Sequence, residues 1–221
     1  MLVLEDLQLN GLKIYQDDSL YRFTSDSILL SRFATVKSGE VVADFCSGSG
    51  IVGIHLYGLN ASLIKSVTLF EKQSDLYELS KKSVEHNQLT DIFKCENVRL
   101  QDIDNKYNGK FSLVVCNPPY MQVTAGLGST LSHIDMCKSE VDLSLDQLMN
   151  AVKRALRFGG RFCMVHRSDR LADIMCSMRA NGIEPKRLQF VQAHNKAPYL
   201  VLIEGVKGGK SGIKILSAIN N

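Results

Sequence analysis

Short apolar runs alternate with segments whose apolar residues recur every three or four positions, and from residue 39 onward the alternation is regular. Val41–Phe45, Ser66–Phe70, a segment within 93–100, Phe111–Cys116 and Arg161–His166 read as buried strands. Between them the helical pattern opens at Ile51 and again over Asp75–Asn87. Ser144-x-x-Gln147 has the form of a capping box, and the helix it opens is expected to stop at Gly159-Gly160. Leu171–Ala180 is a further helix, closed by Asn181-Gly182. Lys186–Ala193 and Tyr199–Glu204 follow as two strands with no helix between them.

Repeated strand–helix units predict an α/β fold, a doubly wound and mostly parallel seven-stranded sheet with helices on both faces. A pair of strands without a crossover helix requires one of them to run antiparallel. Residues 1–36 read as a small N-terminal extension. It comprises a hairpin around Asn10-Gly11 and a helix capped at Thr24-Ser25-Asp26, with Ile28, Leu29, Leu30 and Phe33 on its apolar side. The main domain is expected over 37–206, and 207–221 reads as a basic, glycine-rich, mobile tail.

Composition narrows the class without choosing a chemistry. The chain has 221 residues and is 45% hydrophobic, enough for one well-cored domain. The formal charge of +3 permits an anionic partner without demanding one. Six scattered cysteines without a Cys-x-x-Cys pair read as buried thiols of a reducing, cytoplasmic setting, and the five histidines do not pair at metal-ligand spacing. Neither a membrane-spanning run nor a signal-peptide pattern is visible.

The candidate chemistry sits at the ends of the predicted strands, where ligands bind in open parallel sheets. Asn117-Pro118-Pro119-Tyr120 follows the strand Phe111–Cys116. Two prolines cannot continue a ladder, so they hold a carboxamide and a phenol off the strand tip in a preset conformation. An amide oxygen and an aromatic face together suit a flat group bearing an exocyclic amine. Upstream, Val41–Phe45 runs into Cys46-Ser47-Gly48-Ser49-Gly50 and then a helix, a turn whose glycines let a ligand approach backbone N–H groups. The spacing is not the dinucleotide G-x-G-x-x-G, and Asp44 precedes the glycines where a cationic ligand could be held. Glu71 and Asp102 end the next two strands on the same edge.

These residues together resemble class I S-adenosylmethionine-dependent methyltransferases of Rossmann-like fold, in the amino-methylating branch with an Asn-Pro-Pro-Tyr motif. The segment Phe23-Thr24-Ser25-Asp26-Ser27-Ile28-Leu29-Leu30 and the stretch around Met164–Arg167 are similar to bacterial tRNA adenine-N6 methyltransferases that modify the base beside the anticodon of a valine tRNA. The chain departs from them at Thr24, where they often carry glycine, and at Cys137-Lys138-Ser139-Glu140. The resemblance implies S-adenosylmethionine as cofactor, held by Asp44, Cys46, Gly48, Gly50, Glu71 and Asp102, with Thr24 and Asp26 as further candidates. It implies Asn117, the Pro118 carbonyl and Tyr120 as the catalytic group, and an RNA substrate, without a metal or a membrane. Arg167, Arg170, Lys186, Arg187 and the tail lysines are the expected phosphate contacts. The alternatives are a protein glutamine or a DNA adenine as acceptor, or a cofactor-binding module without catalysis.

Overall fold

A computed structural model describes residues 1–20, 22–119 and 143–221. A two-stranded antiparallel hairpin comes first, β1 (Leu2–Asp6) and β2 (Lys13–Asp17). Its loop is six residues long, longer than the Asn-Gly dipeptide alone. That dipeptide is still its pivot, with Asn10 at φ 52 and Gly11 at φ 73, and Leu12 N–H donating to the Leu9 carbonyl at 3.0 Å.

The rest is one sheet and its helices: α1 (Ser25–Phe33), β3 (Glu40–Phe45), α2 (Ile51–Asn60), β4 (Ile64–Glu71), α3 (Ser74–His86), β5 (Phe93–Asn97), β6 (Phe111–Cys116), α4 (Leu145–Ala155), β7 (Leu156–Arg167), α5 (Leu171–Ala180), β8 (Ile183–Gln192), β9 (Pro198–Lys207) and β10 (Lys214–Asn220). The order across the sheet is β10-β8-β9-β7-β6-β3-β4-β5. β9 is the antiparallel member, against both β7 and β8, and the remaining pairs are parallel. The mostly parallel α/β architecture agrees with the expectation, but there are eight strands. The eighth comes from the segment read as a mobile tail, whose Lys214–Asn220 pair with β8 and cover its free edge.

Period-2 alternation sorts the strand residues between two cores. Leu113 and Val115 of β6 and Cys163 and Val165 of β7 face one core, with α1, α2 and α3. Val114, Cys116, Phe162 and Met164 face the other, with α4 and α5. The helix from Ser144 ends four residues earlier than the glycine pair suggests, at Ala155. Its cap is the predicted one: Ser144 Oγ accepts from Gln147 N–H at 3.2 Å and Gln147 Oε1 from Ser144 N–H at 2.9 Å. Gly159, at φ 71, lies in an irregularity of β7, where the register against β6 shifts. Of the cysteines in the described residues, Cys116 and Cys163 are buried as expected, Cys46 and Cys95 are half-buried, and Cys176 is exposed.

The N-terminal helix is not an appendage in its packing. Leu30 and Phe33 are buried in the first core. At its C-terminal end the Arg187 guanidinium lies 4.6 Å from the Phe33 ring centroid and donates to the Phe33 carbonyl at 3.1 Å. Below it the buried pair Arg161–Glu40 and the pair Arg187–Glu204 close the starting edge of the sheet.

Candidate functional site

The strand ends converge on a cleft enclosing about 860 Å³ including its open mouth, a size suited to a small organic ligand. It is lined from the β3–α2 turn (Cys46, Ser47, Gly48, Ser49), the end of β4 (Glu71), the segment after β5 (Arg99, Leu100, Gln101), and Asn117 and Pro119 after β6.

The β3–α2 turn is built on Asp44. Its side chain is fully buried, and Oδ2 accepts from Gly53 N–H at 2.8 Å, so the carboxyl caps the N-terminus of α2. The fit needs glycine at 53, where a Cβ would stand 2.7 Å from Leu69 Cδ2 and 3.2 Å from Asp44 Oδ2. Burial pushes the Asp44 carboxyl up to about 8; the Gly53 hydrogen bond opposes the rise and the charge of Glu71 adds to it. The turn then reverses through Cys46 at φ 55, Gly48 at φ 56 and Gly50 at φ 92. Gly48 N–H donates to Glu71 Oε2 at 2.8 Å, and Gln73 N–H to Glu71 Oε1 at 2.9 Å. Burial raises Glu71 as well, against the pull of those two N–H groups.

Asn117 follows β6, and its Nδ2 donates to Ser27 Oγ of α1 at 3.0 Å. Ser27 is buried and lines the cleft with Phe23, which lies just before the helix. This contact ties the N-terminal helix to the Asn-Pro-Pro segment and orients the carboxamide: with nitrogen on the serine, oxygen is the end presented elsewhere.

The predicted site residues are therefore sorted by the structure. Cys46, Gly48, Glu71 and Asn117 meet at the cleft. Asp44, Gly50 and Pro118 lie behind the lining, Asp44 and Pro118 buried and Gly50 as the residue preceding α2. Thr24 is exposed and Asp26 half-buried, both outside the lining; Phe23 and Ser27 of that segment face the cleft in their place. Asp102 is also outside it. In the single turn Leu100–Asp102 residues three apart eclipse, so Asp102 sits over Arg99 and takes its Nε at 2.7 Å, while Arg99, Leu100 and Gln101 line the cleft. Tyr120 and residues 137–140 fall outside the described residues. Ser27 and Gln101 carry no role in the sequence reading; Ser27 lies within the segment Phe23–Leu30 that carries the family resemblance, where Thr24 and Asp26 are the named candidates.

The expected basic residues divide between two edges of the sheet, with Arg170 following Arg167 directly after β7. Arg167 ends β7 at the cleft edge of the sheet, whereas Lys186 and Arg187 lie toward the start of β8, and Lys207 ends the antiparallel β9. These last three are on the opposite edge, where Arg187 and Lys207 bind protein carbonyls and Lys186 binds the Lys210 carbonyl.

Residues 24–175 match the family described as methyltransferase small domain. The chain belongs to this family. It is 26% identical over 196 residues, 86% of its length, to a tRNA1(Val) (adenine(37)-N6)-methyltransferase of Bacteroides fragilis strain YCH46, covering 79% of that protein. To the Trichodesmium erythraeum protein of the same name it is 24% identical over 49% of its length, and there it spans only 46% of the relative. Among solved structures, M. jannaschii TYW2 in complex with AdoMet aligns with a TM-score of 0.63 at 12% identity, over 92% of this chain and 84% of that one, a likeness of fold.

The family implies S-adenosylmethionine, and the residues present fit it. Two buried oxygens at the turn, Asp44 Oδ1 and Ser47 Oγ, have no hydrogen-bond partner among the described residues, so polar groups are in place for a ligand to satisfy. A Cβ built on Gly48 would meet nothing within 4 Å, so the backbone there stands open. Among the described residues, no group of three or more His, Cys, Asp or Glu is arranged to hold a metal ion, and no helix is long and apolar enough to cross a membrane.

Proposed function

We propose that this methyltransferase carries a methyl group from S-adenosylmethionine to the N6 amine of an adenine in RNA, with tRNA as the substrate class. The observation that carries this reading is the carboxamide of Asn117 at the end of the cleft, its nitrogen engaged by Ser27. The names of the B. fragilis and T. erythraeum relatives support the choice of a tRNA adenine.

An adenine amine is a weak nucleophile because its lone pair is shared with the ring. The cofactor supplies a methyl group already activated by positive sulfur, so the protein's work is placement and electrostatics. Glu71, half of whose lone-pair capacity is taken by Gly48 and Gln73, accepts from ribose hydroxyls. Asp44 and Ser47 complement the methionine portion. Gln101, on the turn where Asp102 was expected to act, is the polar group on the base-binding side. Asn117 Oδ1 and the Pro118 carbonyl accept the two amine hydrogens, which favours a pyramidal nitrogen with its lone pair toward the methyl carbon. The bound cofactor would supply the methyl group and keep the departing sulfur's electron pair, and the extra proton on the methylated nitrogen would pass to solvent. A neutral carboxamide cannot keep it. The base leaves its stack to reach Asn117, at lower cost in a loop than in a duplex.

The test is to incubate the protein with methyl-tritiated S-adenosylmethionine and, separately, unmodified tRNA, genomic DNA or a ribosomal protein extract. Label in tRNA, recovered as N6-methyladenosine on nucleoside digestion, is the expected result. Label in DNA or on glutamine alone overturns the RNA assignment and keeps the chemistry. Binding of the cofactor without transfer to any of the three overturns catalysis.

A further inference from the structure

The cleft fills the ends of β3 and β4 and reaches Asn117 at the end of β6. A substrate whose amine lies at Asn117 must therefore extend the other way, over the ends of β7 and the start of β9, which come next in the sheet. A continuous set of contacts leads there. Ser27, bonded to Asn117, is two residues from Ser25, whose Oγ accepts from Asn221 Nδ2 at 3.4 Å. The same amide donates to the Tyr199 hydroxyl at 2.9 Å. Ser168 Oγ, just after β7, donates to the Pro198 carbonyl at 2.6 Å, joining the two strand ends.

This rim differs from the rest of the edge in what it exposes. Tyr199 is 42% exposed, yet its hydroxyl is tethered by Asn221, so a large aromatic face is held in one place in water. Three residues before it, in the exposed β8–β9 turn, the Lys196 ammonium has no ion-pair or hydrogen-bond partner among the described residues. Across the rim Arg167 is half exposed and, among the described residues, pairs with its exposed neighbour Asp169, a contact that a phosphate could replace at little cost.

We propose that this rim is the platform on which the single-stranded RNA beside the target adenine lies, with Tyr199 stacking a neighbouring base and Lys196 and Arg167 taking its phosphates. The proposal rests on the RNA reading and adds the surface that reading lacks. A fixed aromatic flanked by cations is the arrangement that binds unpaired nucleotides with little sequence preference.

The test is fluorescence anisotropy with a dye-labelled, unmodified valine tRNA transcript, alongside calorimetric titration of S-adenosylmethionine. Tyr199→Ala is expected to weaken tRNA binding about tenfold, the cost of one lost stack, and Tyr199→Trp to restore it. Lys196→Glu is expected to weaken binding and to reduce the salt slope by about one. Lys210→Glu, an equal charge change on the opposite edge, is expected to leave binding as it was, and cofactor affinity is expected to be the same in all four. If wild type binds tRNA but Tyr199→Ala and Lys196→Glu bind it equally well, or Lys210→Glu loses as much, the platform is wrong while the RNA reading stands. If wild type itself binds no RNA, the reading falls, and the platform with it.

Discussion

The two halves of the cleft are made in different ways. The donor half, around the ends of β3 and β4, is held by hydrogen bonds between near neighbours in sequence: Gly53 to Asp44 across nine residues, Gly48 to Glu71 across 23, Gln73 to Glu71 across two. The acceptor half is assembled from afar: Asn117 to Ser27 across 90 residues, Asn221 to Ser25 across 196. The hydrogen-bonded turn of the first is complete once one β-α-β unit has folded, and only the short segment after β5 is added to it. The second exists only when the N-terminal helix, the middle of the chain and its last strand have all docked. Recognition of the cofactor is thus a local property of the fold, and recognition of the substrate a global one.

Removing the central group of the acceptor half should separate the two most sharply. Asn117→Ala deletes the carboxamide that holds the amine, and by analogy with loss of a single transition-state donor the methyl-transfer rate should fall about 10²–10³-fold or more. S-adenosylmethionine affinity should stay within about twofold, because no bond of the donor turn involves Asn117. Single-turnover kinetics with labelled cofactor, paired with calorimetry, reads both. An equal loss in affinity would mean that the halves are one unit.

The donor half should declare itself in pH. Asp44 is raised from 3.8 to about 8 in the folded protein, so between those values the native state holds a proton that the unfolded chain releases. Its contribution to stability is fully present below about pH 4 and is lost as pH rises toward 8. Glu71, also raised by burial, adds in the same direction. His166, pushed down to about 4 by burial, acts oppositely below its ordinary 6.5, so the window from 6.5 to 8 is the clean one. Without cofactor, the wild-type Tm is expected to fall across that window, and Asp44→Asn to flatten the fall. A variant whose Tm tracks wild type there would show that Asp44 is already ionised in the native protein.

The same local–distant division governs what could be read from the chain alone. The glycine turn, Asp44 and Glu71 were legible because a strand, a Gly-rich turn and a helix opening are contiguous, and the acid after the next strand follows at a fixed distance. Asn117 was legible because two prolines mark it. Asp102 lies outside the cleft lining: a single tight turn decides which of three adjacent residues faces the cleft, and here Asp102 pairs with Arg99 while Gln101 lines it. Lys186 and Arg187 were grouped with Arg167 by charge, but the reversal of chain direction at β9 and their depth along β8 put them at the far edge. The tail read as mobile because glycines and lysines carry no core pattern. Its last residues nonetheless find an unpaired strand edge, which has no signature in the tail itself.

The smallest effect bears on how the distant contacts work. Ser27 Oγ accepts from Asn117 Nδ2, and losing that acceptor removes one of the contacts that keep the carboxamide nitrogen turned away from the incoming amine, which it would otherwise meet donor to donor. Ser27→Ala removes one buried hydrogen bond, worth about 1 kcal/mol, so the rate should fall by roughly fivefold to tenfold. The loss should appear in kcat, with KM for S-adenosylmethionine unchanged, since the hydroxyl sets the amide's orientation and the donor turn is not involved. Ser27→Thr keeps the hydroxyl and should restore most of the rate. Alanine at 27 also leaves the α1 backbone intact, so Tm should move by no more than a few degrees. A Ser27→Ala enzyme with wild-type kcat would mean that Asn117 is oriented from elsewhere. One with a raised KM for the cofactor would mean that the N-terminal helix serves the donor half after all, and the division drawn between the two halves would have to be moved.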